Sequence, residues 1–127
     1  MRSTNLWTTI FAFSTLGLSP SLQAQDAVMT PQEIQSAWVG KTVVALIGGG
    51  PSAGKVIELQ LKADGVAELG GSLSDAGTWR LSDKGYCATW KKIRAGQERC
   101  FTVNRKGSDT QVLNPDGSLN STVTQIR

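Results

Sequence analysis

The residues able to do covalent or proton chemistry are few in this chain, and their types narrow what it can do. Two cysteines, Cys87 and Cys100, are present, and there is no histidine among the 127 residues. Without an imidazole, serine–histidine and cysteine–histidine nucleophiles are excluded outright. A zinc site on the two thiolates lacks its remaining ligands, so no metal is expected. The cysteines are not in the Cys-x-x-Cys spacing of redox centres. In a chain that opens like an export signal, such a pair reads as one structural disulfide. If the two face each other on paired strands, Tyr86 faces Phe101 and Thr89 faces Glu98. A bridge closing about 14 residues contributes about 3 kcal/mol in the chain-entropy view.

Gly49-Gly-Pro-Ser-Ala-Gly54-Lys55 has the Gly-x4-Gly-Lys spacing of a phosphate-binding loop. The next residue, Val56, offers magnesium no hydroxyl. The segment after it alternates like a strand, where a phosphate loop must open a helix. The expectation is a flexible glycine loop joining two strands, at the mouth of a pocket if one exists. Glu58 and Glu68 flank a single hairpin. A hydrolytic pair would need a sugar-binding groove and one carboxyl of raised pKa, and the neighbouring residues supply neither. Together with Asp75 they define only a distant enzymatic alternative.

Lys91, Lys92, Arg94, Arg99, Arg105 and Lys106 fall within 16 residues, opposed by Glu98 alone. On a hairpin and the turn after it they would form one positive end, suited to anionic lipid headgroups, lipopolysaccharide phosphates or an acidic protein. The plainer reading is a solvated hairpin whose lysines discourage edge-to-edge pairing. Trp79, Tyr86, Trp90 and Phe101 could all face one side of the sheet. They either fill a thin core or, at Trp79 and Trp90, line a pocket.

The elements that must position these residues are short. Met1 to Asn5 carries one positive charge, Leu6 to Leu18 is largely apolar, and Ser19 to Ala24 ends on a small residue. This is the order of a secretory signal peptide, with cleavage expected near Ala24. The apolar run is too short to span a bilayer, so no transmembrane segment is expected. Residues 25–127 are then a single domain, small enough that a covalent staple helps it. Its net charge is mild, and nucleic acid is not expected as a partner. After a frayed Gln25 to Met29, Thr30-Pro31-Gln32-Glu33 predicts a capped helix start. Ile34, Ala37 and Trp38 give that helix one apolar face, and Gly40 ends it. About eight short strands follow, with turn signals at Ala63-Asp64-Gly65, Ser82 to Gly85, Arg105 to Ser108 and Asn114 to Gly117. The pattern predicts a mainly β fold, a small antiparallel sandwich or up-and-down barrel with one short N-terminal helix.

At Gly77-x-Trp79, Tyr86-Cys87-x-x-Trp90, Cys100-Phe101-x-Val103 and Asp116-Gly117, the chain resembles the small exported alpha-proteobacterial proteins grouped as domain of unknown function 995. The match covers about residues 77–120. The resemblance implies export, the disulfide and a β-rich fold, and brings no catalytic residue with it. The expected role is that of a periplasmic or secreted, non-enzymatic binding or accessory protein for an anionic or small-molecule partner, without a cofactor. The alternative is a proteinaceous inhibitor of an exported hydrolase or protease, inserting loop 48–54 or 70–76 into a cleft.

Overall fold

The computed structural model describes residues 27–127, and the expected leader at 1–24 lies outside them. The first helix, α1 (Pro31–Ala37), begins where the sequence signals it. Thr30 Oγ1 accepts from the Glu33 N–H and Glu33 Oε1 accepts from the Thr30 N–H, both at 3.2 Å. Two of the orphan donors of the first turn are thereby satisfied, and Pro31 at the first helical position has no N–H to leave unpaired. The helix is only two turns long, so its place depends on what it buries. Ile34 and the C-cap Trp38 are 0% and 1% exposed. Gly40, at φ +83°, turns the chain away and donates its N–H to the Leu61 carbonyl at 2.9 Å.

Nine strands surround that helix among the described residues: β1 (Ala27–Val28), β2 (Thr42–Ile47), β3 (Val56–Leu61), β4 (Val66–Gly71), β5 (Asp75–Ser82), β6 (Gly85–Trp90), β7 (Arg99–Lys106), β8 (Asp109–Leu113) and β9 (Leu119–Ile126). From β2 to β9 each strand pairs antiparallel with the next, and β9 returns to β2 with Ala45 opposite Val123. The result is a closed eight-stranded up-and-down barrel, one of the two architectures the turn spacing allowed. Closure leaves neither β2 nor β9 as an open edge of the ring, where a two-sheet sandwich would expose edge strands. The expected frayed start is a correction in part. Ala27 and Val28 pair with Arg105 and Asn104 of β7, on the edge left free where β6 begins. Met29 donates to the Val103 carbonyl at 2.8 Å and is 2% exposed. Apolar burial of Met29 outweighs the entropy of three residues that carry no pattern of their own.

Alternation decides what faces inward. Val43, Leu59, Leu61, Ala67, Leu69, Tyr86, Ala88, Trp90, Phe101, Val103 and Val112 converge inside with Met29, Ile34 and Trp38. Helix α1 plugs one end of this interior. The turns after β3, β5 and β7 lie at that plugged end, and both Ala27 and Arg127 emerge there, Arg127 exchanging backbone bonds with Thr42. Trp79 packs against the core at the same end, its indole N–H donating to the Lys62 carbonyl at 2.7 Å.

Cys87 and Cys100 are directly opposed on β6 and β7 and joined by a disulfide, with Tyr86 opposite Phe101 as the sequence predicts. Since Tyr86 and Phe101 face in, the bridge lies on the outer wall. Arg80 and Glu98 form a two-pronged pair, at 2.8 and 3.1 Å, that reaches from β5 to the chain just before β7. The Glu98 carboxylate and both sulfurs lie within 4.8 Å of one another. With both sulfurs in the bridge, no thiolate pair is free to ligate a metal there.

Gly77 accounts for the glycine of the Gly-x-Trp motif. A Cβ there would lie inside the Thr89 carbonyl oxygen's contact radius, 2.8 Å from its carbonyl carbon and 3.0 Å from the Trp90 Cα. The obstacle is the backbone of β6, which cannot step aside as a side-chain tip can. Gly77→Ala is therefore expected to destabilise the fold by about 2 kcal/mol through overpacking. A urea midpoint unchanged from the parent would contradict this.

Candidate functional site

The interior of the barrel is not filled. A cavity of about 580 Å³ runs from the mouth, opposite α1, down to Trp38. Its wall is mostly apolar: Val43, Ala45, Ile57, Leu59, Leu69, Tyr86, Ala88, Trp90, Phe101 and Val112. Its rim comes from the four loops at the open end. Gly49 to Ser52 come from the β2–β3 loop, Leu73 from β4–β5, Ile93 and Arg94 from β6–β7, and Asn114, Ser118, Leu119 and Asn120 from around the β8–β9 turn. The glycine run is thus a rim loop, and the strand β3 follows Lys55, so the helix a phosphate loop requires does not follow. Two arginines, Arg94 and Arg99, line the cavity and no carboxylate does.

Each position has a local cause. Arg99 shares strand parity with Phe101 and Val103, so the register that buries those two also turns Arg99 inward. Arg94 is turned by its backbone. It and Ala95 sit at φ 56° and 52°, and Gly96 follows at 74°. Successive left-handed residues that are not glycine are costly and persist where surrounding contacts hold them. The holding contact is Asp75, whose carboxylate accepts from the backbone N–H groups of Ile93 at 2.8 Å, Lys92 at 3.0 Å and Ala76 at 2.8 Å. The folded loop sets the Arg94 guanidinium over the Phe101 ring, 5.3 Å from its centroid.

The electrostatics are unbalanced. Arg94 is held below the usual guanidinium range, chiefly by burial and then by the charge of Arg99. Among the described residues no carboxylate forms an ion pair with either arginine, whereas Lys62, Arg80, Arg105 and Arg127 each have one. Two buried hydroxyls add to this. Tyr86 is 5% exposed and Ser121 3% exposed, both on the cavity wall, and neither side chain has a hydrogen-bond partner among the described residues. Burial pushes the Tyr86 phenol well above its ordinary value, opposed by the nearby charge of Arg94. The ring of Tyr86 lies between those of Trp38, at 5.9 Å, and Phe101, at 5.2 Å.

The six basic residues expected to make one positive end are separated by the fold, which corrects that expectation. Strand β7 is eight residues long and runs about 25 Å at 3.3 Å per residue. It therefore carries Arg99 at the mouth and Arg105 and Lys106 at the plugged end, where Arg105 pairs with Glu33 of α1. Lys91 and Lys92 are exposed at the start of the β6–β7 loop. Of the two tryptophans suggested as pocket aromatics, Trp90 lines the cavity and Trp79 does not. Glu58 and Glu68 point outward and are paired with Arg127 and Lys62, and Asp75 is engaged by the loop amides. Sequence reasoning missed Trp38 as the cavity floor and Ser121 as an interior hydroxyl, and it placed Tyr86 among the core aromatics without seeing that its hydroxyl would lack a partner. The alternation of β9 carried the signal for Ser121, which keeps step with Val123.

Asp75 makes the loop acid-sensitive. Its carboxyl is held below its ordinary value of 3.8, first by the bond from the Ile93 amide and then by those from Lys92 and Ala76. A depressed folded value means this stabilisation is complete above 3.8 and is lost as pH falls through the lower, folded value. Hydrogen exchange at the Lys92 and Ile93 amides, corrected for intrinsic rates, should lose protection only once the pH has fallen below 3.8. Asp75→Ala should produce the same loss at neutral pH, and retained protection in both cases would contradict the clamp.

No family model, curated protein or solved structure matches this chain.

Proposed function

We propose that this protein is a non-enzymatic, exported binding protein that takes one small, largely apolar molecule into its barrel through the loop-ringed mouth. The observation that carries the reading is the cavity of about 580 Å³, floored by Trp38 and open at the other end. Ligand pockets typically measure about 300–1,000 Å³. Eight-stranded barrels are just wide enough either to fill with side chains or to hold one small ligand. This one keeps small residues, Ala45 and Ala88, where larger ones would close it.

The absence of histidine and the pairing of Glu58, Glu68 and Asp75 away from the cavity support a binding role over a catalytic one. Export rests on the leader-like residues 1–24, on the disulfide, which fits an oxidising compartment, and on the resemblance across 77–120. Recognition of a bulky anionic surface by the whole basic cluster loses its basis once the cluster is divided between the two ends. The rim loops proposed for an inhibitor instead border the cavity.

The test is titration of residues 25–127 with N-phenylnaphthylamine, a neutral dye that brightens in apolar surroundings. Saturable binding at one dye per chain is expected, and its loss in Ala45→Phe with an unchanged circular-dichroism spectrum. A folded protein that leaves the dye dark would overturn the reading.

A further inference from the structure

We propose that the ligand is an organic monoanion whose charged group is held by Arg94 and Arg99 at the mouth while its apolar body lies against Trp90, Phe101 and Trp38. The inference rests on the cavity reading above and adds the chemistry of the ligand. Three independent features lead to it.

The first is the charge of the lining. Two guanidinium groups share one cavity with no carboxylate in its wall. They are close enough for Arg99 to disfavour the charge on Arg94. Both arginines are half-buried, so each has lost part of its hydration and gains from a partner, and a like charge nearby adds to that gain. Asp116 of the β8–β9 turn feels the charge of Arg99 but makes no ion pair with it, and accepts instead from the Ser118 N–H at 2.9 Å and the Ser118 hydroxyl at 2.6 Å. A monoanion entering the mouth supplies the missing countercharge. Guanidinium forks are the side chains best shaped to receive a carboxylate.

The second is the backbone. The loop that brings Arg94 to the cavity wall passes through left-handed backbone at Arg94 and Ala95, a costly conformation for residues other than glycine. A solvated arginine would need no such device. The Asp75 clamp keeps the loop folded, so the guanidinium is already in place before a ligand arrives. Preorganisation of this kind reduces the ordering cost of binding.

The third is the pair of buried hydroxyls. Tyr86, close enough to feel the charge of Arg94, and Ser121 both lack a protein partner in the wall. An unpaired buried hydroxyl is a penalty that a ligand oxygen removes. The charged group and the hydrogen-bonding wall therefore favour an oxyanion over a halide or a plain hydrocarbon.

The experiment uses two matched series, measured by calorimetry at fixed salt on residues 25–127. One is decanoate, decanol and decyltrimethylammonium. The other is naphthoate, naphthalenemethanol and naphthylmethyltrimethylammonium. In whichever series binds, the carboxylate should exceed the alcohol by about tenfold and the ammonium should be weakest. Arg94→Gln and Arg99→Gln should each remove most of that preference, and Arg94→Lys should keep much of it, with melting temperatures near the parent's. Equal binding of carboxylate and alcohol, or a preference unaffected by both glutamine variants, overturns the inference while leaving the cavity reading intact. Binding of none of the six compounds, together with a dark N-phenylnaphthylamine titration, overturns both.

Discussion

Trp38→Ala is expected to destabilise the protein by about 3–5 kcal/mol, the range for removing a buried tryptophan. Trp38 is 1% exposed, caps α1, packs against the Tyr86 ring and forms the cavity floor. Its loss removes its own contacts, frees α1 from its main anchor and leaves a void continuous with an existing one. Little of that void can collapse, because the wall around it is a closed ring of strands. Against a total stability of about 5–15 kcal/mol, that loss is between a fifth and the whole of the margin. Equilibrium urea unfolding measures the difference. Trp38→Phe, which keeps a ring in place, should fall well short of the alanine loss. A midpoint for the alanine variant within about 1 kcal/mol of the parent would show that α1 is not the plug described.

The second large effect is expected on removing the disulfide. Cys87→Ser with Cys100→Ser should lower stability by about 3 kcal/mol, the value for a loop of this length. The loss extends to the site, because the bridge fixes β6 to β7 at the position next to both Arg99 and Phe101. The serine variant should bind the neutral dye, and any anion preference should fall as Arg99 loosens. Arg80 and Glu98 will not compensate. Their side chains are 60% and 44% exposed, and ion pairs that open to solvent are weak. Equal unfolding midpoints with and without reductant would contradict the estimate.

How much of this was legible in the sequence depends on how local each cause is. The cap of α1 is written in four consecutive residues, Thr30 to Glu33, and the structure uses all of it. The facing of Cys87 and Cys100 followed from parity within one hairpin, as did the inward side of Tyr86 and Phe101. Closure of the barrel was not legible, because it depends on Thr42–Ile47 meeting Leu119–Ile126 across most of the chain. Nor was β1, whose two residues are too few to show a period. The basic cluster misled for a geometric reason: residues close in number lie far apart when a fully extended strand separates them. Arg94 misled for a conformational one. Nothing in Arg94-Ala95-Gly96 announces that two ordinary residues will adopt a glycine-like backbone. The two amides just before that stretch are bonded by Asp75, 19 positions before Arg94 in the chain, a contact no local pattern announces.

The place where the chain ends emerge has a practical corollary. Ala27 and Arg127 both leave the barrel beside the helical stopper, at the far pole from the entrance. A handle fused after Arg127, or a surface coupled there, stands behind the molecule and leaves its opening facing the solution. Immobilised this way, the protein can be challenged with candidate molecules in flow without the attachment shading the port they must pass through.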